Sequence, residues 1–311
     1  MPRRRLAVAV MVPDPVLTEI EGLRRALGDR QLGVVAPHVT LVPPTNVRES
    51  DLDEVLATLR AAAAVLAEDL TLELGPVRTF APDNAVLYLA VRPAEPLAAA
   101  RAALGRGVLD RCDEHPFVPH VTIDIEAPPA RLQAALLALS SYRASCPLPG
   151  LTLLQERRPS AAAQGDRGRQ WEPIADAACG EPVVAGRGGL ELELTTGTLV
   201  DPRAMPLLEG DAPGRPGGHH VVVTGRRHLR AVGVAAAQRR RDVAALIDLA
   251  VAPDERGLGV GRALVRRLET EAGSRGATRV VASRSLPAEV KSFLAHLGWS
   301  PGTPTLGRDL V

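Results

Sequence analysis

Residues 117–125 read FVPHVTIDI and residues 36–42 read APHVTLV, so Pro-His-Val-Thr occurs twice in a chain with seven histidines among 311 residues. Both copies sit in short apolar runs of strand character. On a strand, residues i and i+2 face the same way, so His38 projects with Thr40, and His120 with Thr122. If the two strands lie side by side or across a pseudo-twofold axis, two imidazoles and two hydroxyls converge. That set suits in-line displacement at phosphorus. One imidazole takes a proton from the attacking hydroxyl or water, while the other protonates the leaving oxygen. The threonines donate hydrogen bonds to the non-bridging oxygens, and the scheme calls for no metal. Zinc is the alternative use of two histidines, but no third ligand recurs at a fixed offset from either motif.

Working outward from the motifs, strand and helix signals alternate. Strands are expected at 6–12, 34–42, 70–80, 85–92, 118–125 and 148–157. Helices are expected from Asp14-Pro15 to Gly28, from a Ser50/Asp53 capping box to Glu68, over 95–111 and over 129–141. Each motif strand thus has helices before and after it, as in an α/β unit present twice. Between 158 and 188 the Ala, Gly, Pro and charge content predicts a loop and then a linker, with Trp171 packing back on the first domain. Beyond the linker, GLELELT (189–195) alternates as a half-buried strand does. Strands at 219–224, 229–237, 243–252 and 278–283 and helices at 260–274 and 287–297 complete a second unit. The expected class is α+β, with domains at 1–177 and 188–311 joined by a linker at 178–187.

Bulk properties narrow the function. Net charge is +1, and the first 177 residues hold 19 Arg against 22 Asp and Glu, so tight binding of long nucleic acid is not expected and no DNA partner is anticipated. Phosphate binding there needs a local patch, for which Arg78, Arg157 and Arg158 are candidates. Three cysteines without a CxxC pair fit a reducing, cytoplasmic setting. The opening MPRRRLAVAVMVPDP begins like a targeting segment, but its apolar run is short and reads better as a buried first strand. No stretch approaches a membrane span. His219, His220 and His228 and the run Arg239-Arg240-Arg241 read as surface and turn positions.

A second constellation lies at 247–265, IDLAVAPDERGLGVGRALV. Here a strand ends at Pro253, and Gly257, Gly259 and Gly261 lead into a helix. Glycines there let backbone N–H groups approach an anion, and the helix N-terminus adds unpaired donors, so a pyrophosphate fits. No Lys-Ser/Thr follows Gly261, which excludes a Walker loop.

His38-Val39-Thr40-Leu41 and His120-Val121-Thr122-Ile123 resemble the paired H-x-[ST]-h motifs of the 2H phosphoesterase superfamily, to which the 2′-5′ RNA ligase or cyclic phosphodiesterase family belongs. Pro116–Pro119 is similar to that family's approach to its second motif, and Thr79–Pro82 with Val86–Leu89 to its central hairpin. The resemblance covers about residues 5–177. It implies a bilobed, two-fold pseudo-symmetric fold with the histidines lining a groove, and action on 2′,3′-cyclic phosphates or 2′-5′ linkages in small nucleotides or RNA ends.

The string Val251-x-Pro253-x-x-Arg256-Gly257-x-Gly259-x-Gly261 resembles the acetyl-CoA loop of GNAT-type N-acetyltransferases. Phe293–Trp299 is similar to that family's closing helix. The resemblance implies that the backbone of Arg256, Gly257, Leu258, Gly259, Val260 and Gly261 holds the pyrophosphate of acetyl-CoA, while Leu249 to Val251 pairs with its pantetheine arm. Two departures stand out: Leu294, beside Phe293, occupies the place of the usual tyrosine acid, and the segment before His219 is short for two acceptor-shaping helices. Asp248 or a water could then deprotonate the unknown amine. Three readings stay open: a phosphoesterase carrying an acetyltransferase; an acetyltransferase whose first domain only binds nucleotide or RNA; and a C-terminal domain that binds CoA without turnover.

Overall fold

Five consecutive residues of the opening run, Leu6–Val10, are buried, which makes the basic-then-apolar start a core strand, β1 (Arg3–Met11). The structure is a computed structural model that describes residues 2–110, 115–125, 127–157, 169–186, 191–208, 220–301 and 306–310. The chain divides into two compact units, Met1–Ile174 with Ala178–Glu181, and Ala175–Ala177 with Pro182–Val311.

In the first unit, β1 is followed by α1 (Val16–Leu27), β2 (His38–Arg48), α2 (Leu52–Ala64), β3 (Thr71–Phe80), β4 (Asn84–Arg92) and α3 (Ala94–Leu104). Then come β5 (His120–Asp124), α4 (Pro129–Ala138), β6 (Ala144–Pro147), β7 (Gly150–Arg157) and β8 (Gln170–Ala178), whose Ala175–Ala177 are grouped with the second unit. The sheet order is β6-β3-β4-β5-β2-β1-β7-β8. Its two halves, β6-β3-β4-β5 and β2-β1-β7-β8, meet at a single residue pair, Val39 opposite Val121. A pseudo-twofold axis through that pair exchanges β1-α1-β2 with β4-α3-β5. This is the bilobed, pseudo-symmetric α+β arrangement that the resemblance to the 2H phosphoesterases implies.

Helix α1 ends where Gly28 adopts φ +72° and its N–H bonds back to the last turn. That left-handed backbone is cheap only for glycine. Gly28→Ala has room for its methyl, with Arg131 Nη1 at 3.7 Å, so the backbone penalty acts alone. It is expected to cost about 1 kcal/mol, read as a shift in the denaturant midpoint.

Several expected boundaries move. Residues 34–37 are not strand; β2 starts at His38 and runs on through Pro43-Pro44 to Arg48. Ser50 does not form the capping box, since its hydroxyl donates to Asp51 and a short tight turn over Glu49–Asp51 precedes α2. Helix α2 stops at Ala64 and α3 at Leu104, before Gly105, not at 68 and 111. Strand β6 was not expected. Strand β8 replaces part of the expected loop, because its inward residues, Ala175 and Ala177, are too small to leave a strong alternating signal. The rest of that loop, 158–168, lies outside the described residues.

The second unit contains β9 (Val183–Ala185), β10 (Leu192–Gly197), β11 (His220–Arg227), β12 (Arg230–Arg240), β13 (Val243–Val251), α5 (Val260–Ser274), β14 (Arg279–Ala282), α6 (Ala288–His296), β15 (Ser300–Pro301) and β16 (Leu306–Asp309). Strand β9 falls inside the expected linker and pairs with β10. The order is β15-β16-β14-β13-β12-β11-β10-β9, with β13 and β14 parallel and the other neighbouring strands antiparallel, hence a mixed sheet. Helix α5 buries Val260, Leu264, Val265, Leu268 and Ala272, spaced three and four apart, against β10–β13. Between β10 and β11 the described residues hold one short turn at Met205–Leu207, which keeps this GNAT-like unit short; residues 209–219, with His219, lie outside the description. Among the described residues no helix is long and apolar enough to cross a membrane.

Candidate active sites

Val39 and Val121 are 1% and 0% exposed, as are Leu41 and Ile123 at 0%, so the β2 and β5 residues between them turn to the opposite, open face. His38, Thr40, His120 and Thr122 are all half-buried there. Antiparallel pairing through Val39 and Val121 sets His38 beside Thr122 and Thr40 beside His120. Each imidazole therefore has one hydroxyl two residues along its own strand and another across the ladder. The four groups that the sequence singled out are brought together.

The two motifs also share their local wiring. His38 Nδ1 lies 2.8 Å from the Ala36 carbonyl and His120 Nδ1 lies 2.7 Å from the Val118 carbonyl. A carbonyl only accepts, so each Nδ1 carries the proton and each Nε2 keeps its lone pair in the neutral ring. The prolines serve one purpose twice: the Pro37 carbonyl accepts from Val12 N at 3.0 Å, and the Pro119 carbonyl from Val91 N at 3.1 Å. Both bonds fix the chain just before the histidine. Burial, the Arg24 guanidinium and His120 together lower His38 from 6.5 to about 4, against the opposing pull of the Ala36 bond. His38 is thus held neutral.

Around His120 stand Tyr88, 6% exposed, and Phe80, with ring centroids 5.2 Å from the imidazole and 4.2 Å from each other. Around His38 the partner strand places Met11, which packs with Ala9, Val35 and Trp171. Arg78 pairs with Tyr88, which pairs with Thr122, so this exposed arginine ends a row on the site face. Arg157 is taken up by Glu172 at 3.2 Å, and Arg158 lies outside the described residues.

Sequence reasoning missed Arg24 and Arg101. Arg24 is 2% exposed and follows Val16 and Ile20 at four-residue spacing on the buried face of α1. An arginine within an apolar helix stripe was the signal available.

In the second unit, β13 pairs with β12 as far as Val251, but β14 follows it only from Val243 to Leu246. Ser283 N bonds the Leu246 carbonyl at 2.8 Å and the strands then part. Leu249 and Val251 thus lie where one edge of β13 has no neighbouring strand among the described residues. Their side chains pack toward α5, whereas Ile247 and Ala250 pack toward Val200, Ala204 and Val222. A bulge at Ala236/Ala237 leaves Ile247 unpaired beside Asp248, whose carboxyl is raised by burial.

The turn that follows is braced by Arg230 to both Asp254 oxygens (2.6 and 2.8 Å) and by Arg227 to Glu255 (2.7 Å). Gly257 and Gly259 take φ +79° and +84°, with nothing within 4 Å of where a Cβ would stand, and Arg256 and Leu258 are exposed between and before them. The N–H groups opening α5 face this cradle without intrahelical acceptors. Gly261 serves a second purpose, because a Cβ there would meet Phe293 Cζ at 3.2 Å, so its lack of a side chain lets α6 close on α5. Leu294 is 0% exposed within the core. The donor-rich, uncrowded loop beside a bare strand edge fits a cofactor whose extended arm leads to a pyrophosphate. Of the remaining candidates, His228 and Arg241 occupy turns at φ +54° and +57°, whereas Arg239 and Arg240 end strand β12 and the half-buried His220 opens β11, against the expected surface and turn positions.

Comparison with known proteins agrees with both halves. The family model described as the 2′-5′ RNA ligase superfamily matches residues 12–159, and that of the GNAT acetyltransferase family matches residues 191–298. A provisionally named phosphoesterase of Bacillus licheniformis is 33% identical over 114 residues, covering 37% of this chain and 67% of its own length. A similarly named protein of Bacillus pumilus is 34% identical over 114 residues, covering 37% and 66%. Among solved structures, LigT of E. coli in apo form has 21% identity, a TM-score of 0.41, and covers 58% of this chain and all of its own. An acyl-CoA N-acyltransferase from Klebsiella pneumoniae, also provisionally named, has 16% identity, a TM-score of 0.34 and covers 40%. The chain belongs to the 2′-5′ RNA ligase superfamily, and it carries a GNAT acetyltransferase domain behind the phosphoesterase domain.

Proposed function

We propose that the N-terminal unit opens 2′,3′-cyclic phosphates, and cleaves or forms 2′-5′ linkages, at RNA ends or in small nucleotides, through His38 and His120. The observation that carries this reading is the matched pair of imidazoles on one open face, each with Nδ1 tied to a carbonyl and Nε2 left for substrate. In ring opening, a water oxygen attacks phosphorus while His38 Nε2 takes its proton. The bond from phosphorus to the 3′ oxygen breaks, and protonated His120 gives its Nε2 proton to that oxygen, leaving a 2′-phosphate. His38 is the acceptor because it stays unprotonated at neutral pH. Thr40 and Thr122 donate to the two non-bridging oxygens, where negative charge accumulates. Phe80, partly exposed beside His120, offers an apolar surface to a base.

The test is incubation of the full chain with nucleoside 2′,3′-cyclic phosphates in EDTA, expecting the 2′-phosphate. Wild-type protein inert on these and on 2′-5′ dinucleotides would overturn the substrate assignment. Thr40→Val and Thr122→Val are each expected to lower kcat about tenfold. That is below the ~10²-fold of an enclosed oxyanion donor, because both hydroxyls are half-buried only.

For the second unit we propose acetyl-CoA as cofactor, with the backbone of Arg256 to Gly261 taking the pyrophosphate and the Leu249–Val251 edge pairing with the pantetheine arm. Bound acetyl-CoA supplies a thioester whose acetyl group passes to an amine. Asp248, with its raised carboxyl, is this strand's candidate to take the amine proton. Titration calorimetry of the full chain with acetyl-CoA checks the cofactor, and release of free thiol in the presence of amines separates turnover from binding alone.

A further inference from the structure

We infer that Arg24 and Arg101 are a reciprocal pair of positioning residues, each reaching from the helix of one half to the catalytic strand of the other and setting how far apart the two histidines stand. This rests on the phosphoesterase reading above and adds to it two residues outside the motifs.

The need for such a device follows from the sheet. Strands β2 and β5 share one residue pair, so the backbone ladder that would lock two motif strands together is nearly absent. A junction that short leaves carbonyls on both strands in want of donors. Arg24 supplies them on one side. Its Nε and Nη2 donate to the Thr122 carbonyl at 3.0 and 2.8 Å, and its Nη1 donates to the Val35 carbonyl at 2.9 Å. A planar fork can hold two carbonyls at fixed separation as no flexible amine can. One end of that span is the backbone of Thr122. The other adjoins Ala36, whose carbonyl orients His38. Asp29, 3.6 Å away and buried with it, balances the charge.

Arg101 repeats the arrangement across the pseudo-twofold. Each arginine lies three residues before the last residue of its helix, Leu27 in α1 and Leu104 in α3. Helix α1 packs on β5 and α3 on β2, so each reaches into the opposite half. Arg101 Nη1 donates to the Leu41 carbonyl, one residue beyond Thr40. Its guanidinium lies 4.8 Å from the centroid of the Phe117 ring, next to Val118, whose carbonyl orients His120. Phe117 is the counterpart of Val35 in the 82-residue offset that relates His38 to His120. One arginine therefore spans Thr122 and the approach to His38, and the other spans Leu41 and the approach to His120.

The test compares Arg24→Met, Arg24→Lys, Arg101→Met and Arg101→Lys in the full chain. Readouts are kcat and KM on a nucleoside 2′,3′-cyclic phosphate, thermal midpoint, and the ring resonances of both histidines by NMR across pH. Each Met variant is expected to lose about tenfold or more in kcat with KM little changed, as misplaced groups cost rate more than binding. The charged or titratable groups facing His38 are Arg24, with its partner Asp29, and His120. Arg24→Met should therefore raise the His38 midpoint from about 4, while Arg101→Met should move the His120 resonances. The Lys variants keep charge without the fork, so a kcat loss that persists in Lys marks geometry. Folded Met variants with wild-type kcat and unmoved ring resonances would overturn the inference. So would losses that follow the thermal midpoint alone. If Arg24→Met does not fold, the half-buried Arg101→Met carries the test. If the wild type turns over neither substrate class, the functional reading fails, and the histidine resonances still decide the brace.

Discussion

Replacing either motif histidine by alanine is expected to lower turnover of 2′,3′-cyclic phosphates by about 10⁴-fold, the upper end of what a positioned acid or base contributes. The size follows from the proposed roles, one histidine as acceptor and one as donor, with each Nδ1 already committed to a carbonyl. Neither ring can turn to cover for the other. The double variant should be little worse than either single one, because a displacement that lacks its acid gains little from its base. The pH dependence has a definite sign on the base side. Burial and Arg24 hold His38 near 4, so its proton-accepting form is complete above that value and is lost as pH falls through it. The measurement is kcat against pH for wild type, His38→Ala and His120→Ala, with circular dichroism as the folding control. A single variant within about tenfold of wild type, below the 10²–10⁴ range for such a group, would exclude its residue from proton transfer.

Gly259→Val is expected to weaken acetyl-CoA binding by about 10²-fold, the second largest effect. Gly259 caps α5 at φ +84°, a conformation in which a β-branched residue is a genuine outlier. Straightening it would swing the N–H groups of Val260 and Gly261 away from the loop that Arg230 and Arg227 brace through Asp254 and Glu255. The strain of about 1–2 kcal/mol accounts for part of the loss, and withdrawal of anion donors for the rest. Because no atom lies within 4 Å of the added Cβ, the effect should appear in binding more than in core stability. Calorimetry with acetyl-CoA beside the thermal midpoint separates the two. Unchanged affinity in a folded variant would remove this loop from the cofactor site.

The sequence was most legible where side-chain period is simple. The His-x-Thr spacing assigned all four groups of the first site to strand faces, and the glycine run placed a cradle ahead of α5. It was least legible where signals are small or shared between distant segments. The alanines of β8 carried too little hydrophobic contrast to reveal a strand among polar neighbours. Ser50 and Asp53 had the spacing of a cap, yet Asp51 took the serine's hydrogen bond instead. Arg24 read as one more arginine in an arginine-rich chain until its three carbonyl bonds were seen.

By itself, then, the sequence determined the chemistry available: two imidazole–hydroxyl strands and a glycine loop, because both are local consequences of backbone period and conformational freedom. Only the tertiary structure decided how that chemistry is assembled. The single Val39–Val121 pair and the crossed arginines join segments scores of residues apart, and His38 is depressed by the burial and the distant charges that this closure brings. No local pattern encodes such contacts; they exist once the core closes and buried polar groups must find partners.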